Sequence, residues 1–305
     1  YDGSVLRGAA GALGRLLIAG GVLILLFVAY QLWGTGLKEA SSQHSLRQQF
    51  EAGLSHRHHS TPASQAASAQ AQADAPPPPP EGQALGIIKI PAIALEKVVV
   101  QGVGETDLRA GPGHYPETPL PGQAGNSAIA GHRTTYGAPF YRLNELVSGD
   151  PILITTRQGA FRYVVQQTMV VDPNDAAVIG PTPGNHLTLT TCTPRYSAAQ
   201  RLIVVASLTG PAAAPSPASK LRADKGGTPT VGAGALDGPG TGWLPAFGWG
   251  AGFAAAFGVA WWLSRRLGRS GRRRRLLTWL ACVPGLGALL FFFFASVSVL
   301  LPAQY

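Results

Sequence analysis

Leu187-Thr188-Leu189-Thr190-Thr191-Cys192-Thr193-Pro194-Arg195-Tyr196 decides how the central part of this chain is read. An unbroken β-branched and apolar run ends in a Thr-Pro-Arg-Tyr turn, the pattern of a short strand that delivers Cys192 to a strand end. Similar runs surround it: Gly86-Ile87-Ile88-Lys89-Ile90, Val98-Val99-Val100, Ser127-Ala128-Ile129-Ala130, Ile152-Leu153-Ile154-Thr155, Phe161 to Val171 and Leu202 to Leu208. Gly, Pro and Asn-Asp clusters punctuate them, and no long amphipathic helix competes. Seven or more short strands within the 126 residues from 85 to 210 predict one all-β domain, a barrel or a sandwich.

Outward from this domain the composition changes. Residues 34–84 are rich in Ala, Gln, Ser and His and end in Pro76 to Pro80, which predicts a disordered stalk with a stiff tip. His56, His58 and His59 lie in this polar tract, where a solvated linker is the favoured reading over a metal site; no metal and no cofactor are expected anywhere. Residues 211–242 are again Ala, Pro, Gly and Ser, a second linker.

Charge separates the flanks further. Of 305 residues only 13% are charged, against about a quarter in a soluble domain. The net +9 is unevenly placed: residues 85–210 carry nine basic and eight acidic side chains, whereas 211–305 carry ten basic and two acidic. Seven of those ten are arginines between Arg265 and Arg275. A near-neutral central domain removes nucleic acid as a partner, and the arginine cluster reads as a topology signal.

That cluster separates two apolar runs, predicted as membrane helices over 243–263 and 276–305 with a cytoplasmic loop over 264–275. A third run, Leu16 to Trp33, has 18 residues, about 27 Å as a helix and enough for a hydrocarbon core of about 30 Å. It closes a first segment, 1–33, and could instead be a cleaved signal peptide with Arg7 and Arg15 as its basic flank. Ala29-Tyr30-Gln31-Leu32-Trp33 offers no small-x-small cleavage site, which favours a retained helix. Tyr1 in place of Met leads us to expect that the natural start is missing. Arginines before the first helix and between the last two keep those stretches in the cytoplasm, so 34–242 is expected outside the cell membrane of a multi-pass protein.

Cys192 is the only cysteine outside the apolar runs, and Cys282 lies within the last of them. The two would face different solvents and would not pair. A lone thiol in an oxidising compartment is either a buried core residue or a nucleophile, and its place at a strand end favours the second. A nucleophilic thiol needs a base, and the oxyanion it generates needs a donor. His132, just after the strand ending at Ala130, is the candidate for the first, and Arg201, opening the strand after Cys192, for the second.

Thr188-Leu189-Thr190-Thr191-Cys192, with Arg201 nine residues later, resembles the TLxTC…R signature of the sortases. Ala130-Gly131-His132-Arg133, sixty residues before Cys192, resembles their histidine segment. Ile88-Lys89-Ile90-Pro91 and Gly111-Pro112-Gly113-His114-Tyr115 support the likeness, which covers residues 85–208. Gly131-His132-Arg133-Thr134-Thr135-Tyr136-Gly137 and the Thr191 to Ser197 stretch look most like class E, the housekeeping type of actinobacteria. Two C-terminal apolar helices depart from the common single-anchor layout.

This resemblance implies a closed eight-stranded sortase β-barrel beside three transmembrane helices. It implies catalysis by His132, Cys192 and Arg201, with Thr191, Tyr136 and Tyr196 meeting the substrate. Cys192 would cleave a C-terminal LPxTG-like signal, in class E LAxTG, between Thr and Gly. The acylated surface protein would then pass to an amine of a lipid-linked peptidoglycan precursor, with membrane lipid around the helices. Two alternatives stand beside this: a pilin-polymerising sortase, which often carries a lid whose Asp-Pro-Trp-like plug is missing from 34–84, and a non-catalytic peptide-binding barrel. No acidic cluster is visible that would hold an activating calcium.

Overall fold

The computed structural model describes residues 2–58, 77–216, 244–267 and 272–300. Positions 59–76 of the expected stalk, including His59, lie outside the described residues. So do 217–242 of the expected linker, 268–271 of the arginine-rich loop and the tail 301–305. The chain divides into two compact units, one around the strands and one of apolar helices.

The strands are β1 (Ala84–Ile90), β2 (Leu95–Gln101), β3 (Gly113–His114), β4 (Asn126–Ala130), β5 (Pro151–Thr156), β6 (Gly159–Val171), β7 (His186–Thr193) and β8 (Gln200–Thr209). They close into a barrel in the order β1-β2-β3-β4-β7-β8-β6-β5. The pairs β2/β3 and β4/β7 are parallel and the others antiparallel. The eight-stranded all-β barrel is therefore what the chain forms, with β3, two residues long, too short to show in the sequence. Ile88, Ile90, Val99, Ile129, Ile152, Ile154, Tyr163, Leu187, Leu189, Leu202 and Val204 fill its interior. Closure removes every sheet edge. The Tyr163 hydroxyl accepts from the Gly122 amide at 2.6 Å, and burial pushes its pKa up to about 12.

Strand periodicity decides which side chains face outward. Leu187 and Leu189 belong to the interior, so Thr188, Thr190 and Cys192 stand on the outer face of β7. On β8, Leu202, Val204 and Ala206 point inward, which turns Arg201 outward. Outer-face Thr188 and Thr190 are buried nonetheless. Above them Asn126 donates to the Val178 and Gly180 carbonyls at 3.2 and 3.0 Å and accepts from Thr188 at 2.8 Å, pinning the β6–β7 connection.

Contrary to the expectation of disorder, the first half of the expected stalk is an α-helix, α2 (Thr35–His58), packed on the outside of β1 and β2. Thr35, Glu39, Gln43, Leu46, Phe50 and Leu54 recur every three or four residues and so line one helical face. Leu46 and Phe50 are buried with Ala84, Val98 and Val100. Burying the Phe50 ring stabilises the docked helix by about 2–3 kcal/mol. Gln43 donates to the Val98 and Ala110 carbonyls at 3.0 and 2.9 Å and accepts from the Val98 amide at 2.7 Å. Glu39 pairs with Lys97 at 2.7 Å. Because half of this contact face is polar, hydrophobic periodicity does not reveal it.

The second unit contains α1 (Asp2–Ala29), followed by a π-helical turn at Tyr30–Gly34, then α4 (Leu244–Leu267) and α5 (Arg272–Leu300); the short helix α3 (Glu105–Ala110) belongs to the barrel unit. Among the described residues three helices are long and apolar enough to cross a membrane. Their apolar side chains are widely exposed, as Leu17, Leu25, Phe247 and Leu280 illustrate, a surface that a water-soluble protein does not present. Aromatic pairs join them: Phe27 meets Phe294 and Tyr30 meets Phe291, each at 5.2 Å between ring centroids. Arg265 lies 3.8 Å over Trp261 and Arg266 lies 4.5 Å over Trp262. Where a loop was expected over 264–275, α4 runs on to Leu267 and α5 begins at Arg272, since arginine is a good helix former.

Candidate active site

Three adjacent strands carry the candidate residues. Register places Cys192 of β7 directly opposite Arg201 of β8, and paired residues on neighbouring strands project to the same face. Parallel pairing of Ala130 with Thr190 ends β4 beside the Cys192 end of β7, and His132 follows two residues later. Cys192 and His132 are buried, at 5% and 3% exposure, and Arg201 is half-buried. The fold thus pairs Cys192 with Arg201 on one outer face and ends the strand that leads to His132 beside the same end of β7.

The electrostatics of the thiol are set by two opposing effects. Burial pushes the Cys192 pKa up, while the Arg201 and Arg133 guanidiniums act in the other direction. The first effect prevails, so the resting site holds a neutral thiol and thiolate forms only when a base takes the proton. The rate of Cys192 alkylation by iodoacetamide, followed against pH, is therefore expected to inflect above the ordinary thiol value of about 8.5. An inflection below that value would contradict this electrostatic balance.

His132 is supported by the turn that follows it. Thr135 Oγ1 lies 3.4 Å from His132 Nδ1, the Phe140 amide donates to the His132 carbonyl at 3.1 Å, and the Tyr136 ring sits 5.0 Å from the imidazole. The Tyr136 ring thus lies beside the imidazole. Tyr196 stands 68% exposed in the β7–β8 turn, four residues after Cys192. Thr191, expected to meet substrate, donates its hydroxyl to the Gly131 carbonyl at 2.7 Å, tying the cysteine strand to the histidine segment from the inner face. Arg201 donates through Nη1 to the Ala198 and Gln200 carbonyls at 3.1 and 3.3 Å, which ties it to the β7–β8 turn.

Arg133 belongs to the histidine motif, yet the sequence assigns it no role. Its guanidinium is buried and donates to the Tyr141 carbonyl at 3.0 Å, the Cys192 carbonyl at 3.0 Å and Asn144 Oδ1 at 2.8 Å. Asn144 also accepts from Arg195, which lies 4.2 Å over the Tyr141 ring. One planar fork therefore joins the histidine segment, the cysteine strand and the Leu143–Glu145 turn. No sequence signal reports it, because its acceptors are mostly backbone carbonyls up to 59 residues away. Arg133→Ala is expected to lower stability by about 3 kcal/mol, read as a drop in thermal midpoint, with Arg133→Lys recovering only part of it.

A buried thiol, an imidazole and a fixed cation are suited to acyl transfer through a covalent intermediate. The sortase-domain profile matches residues 88–209, the barrel itself. Sortase SrtE1 of Streptomyces coelicolor is 33% identical over 217 residues, 64% of this chain and 56% of the relative. Sortase D of Bacillus subtilis is 38% identical over 114 residues, 37% of this chain and 56% of the relative. The solved structure of sortase E from Streptomyces avermitilis is 37% identical, covering 43% of this chain and 91% of that one with a TM-score of 0.41. Residues 88–209 match the sortase domain, and the likeness of the chain to the Streptomyces E-type sequences agrees with the class E reading of its motifs. It spans a little over half the length of SrtE1 and of Sortase D.

Proposed function

We propose that this chain is a membrane-anchored cysteine transpeptidase that joins surface proteins to the cell wall. The observation that supports this most strongly is the register pairing of Cys192 with Arg201 on the face where the histidine segment ends. Cys192 Sγ attacks the carbonyl carbon of the threonine in a Thr–Gly bond of an LPxTG-like or LAxTG signal, and its proton passes to His132. Arg201 stabilises the oxyanion that develops. Collapse of the tetrahedral species breaks the C–N bond, and His132 hands its proton to the leaving glycine nitrogen. A primary amine of a peptidoglycan precursor then attacks the thioester, loses a proton to His132 and forms the new amide as the thiol is regenerated.

The membrane part of this reading rests on the three long apolar helices and the arginines from Arg265 to Arg275. Arginine-rich connections stay in the cytoplasm, which puts the barrel on the outside with its substrates. The covalent step is tested by mixing the purified chain with a peptide carrying the signal and measuring intact mass. An adduct of the peptide's N-terminal part on Cys192 in samples acid-quenched during turnover, released by hydroxylamine, is the expected result; peptide cleavage with no adduct at any quench time and undiminished in Cys192→Ala would overturn the mechanism.

A further inference from the structure

The turn after His132 is built in a conformation that it does not favour alone. Tyr136, Gly137 and Ala138 have φ values of 48°, 71° and 44°, three successive left-handed residues of which two carry side chains. Such a backbone persists only where its surroundings hold it. Part of the hold is local, since the Ala138 amide donates to the Thr135 carbonyl at 2.9 Å and the Tyr141 amide to the Ala138 carbonyl at 3.0 Å.

The rest comes from α2, a hundred residues earlier in the chain. The Tyr136 amide donates to Thr35 Oγ1 at 3.1 Å across a separation of 101 residues. One turn further along the helix, the Glu39 carboxylate packs so closely on Gly137 that a Cβ there would collide with it. Glu39 is 1% exposed and is itself fixed by Lys97, whose Nζ donates to both carboxylate oxygens at 2.7 and 2.9 Å. Gly36 faces the Gly137 backbone, where a Cβ would lie 3.9 Å from the Gly137 nitrogen, within van der Waals contact. The start of α2 and the Tyr136–Gly137 turn are thus in direct contact, and the Tyr136 ring, with Arg109 5.5 Å over it, lies against the His132 imidazole.

We infer that Thr35 and Glu39 are positioning residues for the reaction, holding the Tyr136–Gly137 turn and, through the Tyr136 ring, the orientation of His132. Neither residue touches substrate; they act by fixing the base. The inference rests on the transpeptidase reading for its kinetic consequence, whereas its structural consequence is readable without substrate. On this account α2 is part of the active-site scaffold, although it lies outside the residues that match the sortase domain.

The test uses the full chain in detergent with a fluorogenic sorting-signal peptide, together with NMR of selectively labelled histidine, the His132 signals being assigned from His132→Gln. Thr35→Val removes the acceptor and keeps the shape, and is expected to lower kcat about fivefold to tenfold while KM changes less than about twofold. Its His132 ring signals shift, and Thr35→Ser, which keeps the hydroxyl, restores both readouts. Glu39→Gln is expected to move the same signals and decides the matter if Thr35→Val fails to fold. Wild-type kcat with unmoved His132 signals in the folded variants overturns the inference, as does a kcat loss that Thr35→Ser fails to restore. A wild-type chain that leaves every peptide uncleaved refutes the proposed function instead, and the histidine spectra still decide the positioning role.

Discussion

Cys192→Ala is expected to form no acyl adduct and to lose peptide cleavage by at least about 10³-fold, since removing a nucleophile removes the covalent route altogether. The fold itself is expected to tolerate the change. Cys192 sits on the outer face of β7, away from the interior cluster built on Leu187 and Leu189, so truncation to alanine deletes one sulfur without opening the core. Its backbone carbonyl, which accepts from Arg133 at 3.0 Å, is untouched by the substitution. A thermal midpoint close to that of the parent chain, measured beside the activity, separates lost chemistry from lost structure.

Arg201→Ala is expected to lower kcat by about 10²–10³-fold, the usual cost of losing one oxyanion donor. Two effects act in the same direction. The guanidinium opposes the burial that raises the Cys192 pKa, so its removal makes thiolate rarer at any given pH and moves the alkylation inflection further up. Its donations to the Ala198 and Gln200 carbonyls also hold the β7–β8 turn. Arg201→Lys keeps the charge but not the planar fork, so it is expected to recover the thiol inflection while kcat stays well below the parent value. Steady-state kinetics and alkylation on the same three proteins check both parts.

Much of the barrel was legible because its strands are β-branched and punctuated. The stretch ending in Cys192 announced a strand that delivers a thiol to a turn, and β7 does so at Thr193. Cys192 at a strand end and Arg201 at the start of the next strand were legible, whereas their direct pairing across the 194–199 connection was not. Other features left no trace in local pattern. Helix α2 docks through Thr35, Glu39 and Gln43 as much as through Leu46 and Phe50, so its contact face looks like a polar linker until Lys97 and the Val98 backbone are seen opposite it. Arg133 joins segments distant in sequence through carbonyl groups that every residue possesses, and a residue type cannot advertise such acceptors. The bond from the Thr191 hydroxyl to the Gly131 carbonyl at 2.7 Å was hidden for a related reason, since it depends on the parallel β4/β7 pairing.

Acyl transfer from Cys192 to an amine is the step on which every other role depends, and one measurement addresses it directly. The full chain is incubated with a sorting-signal peptide and an excess of a primary amine, and the products are resolved by mass. Ligation of the amine to the threonine carbonyl, dependent on Cys192 and His132, is the predicted result; peptide cleavage that proceeds unchanged in Cys192→Ala, or that yields only the free acid at saturating amine, would contradict it.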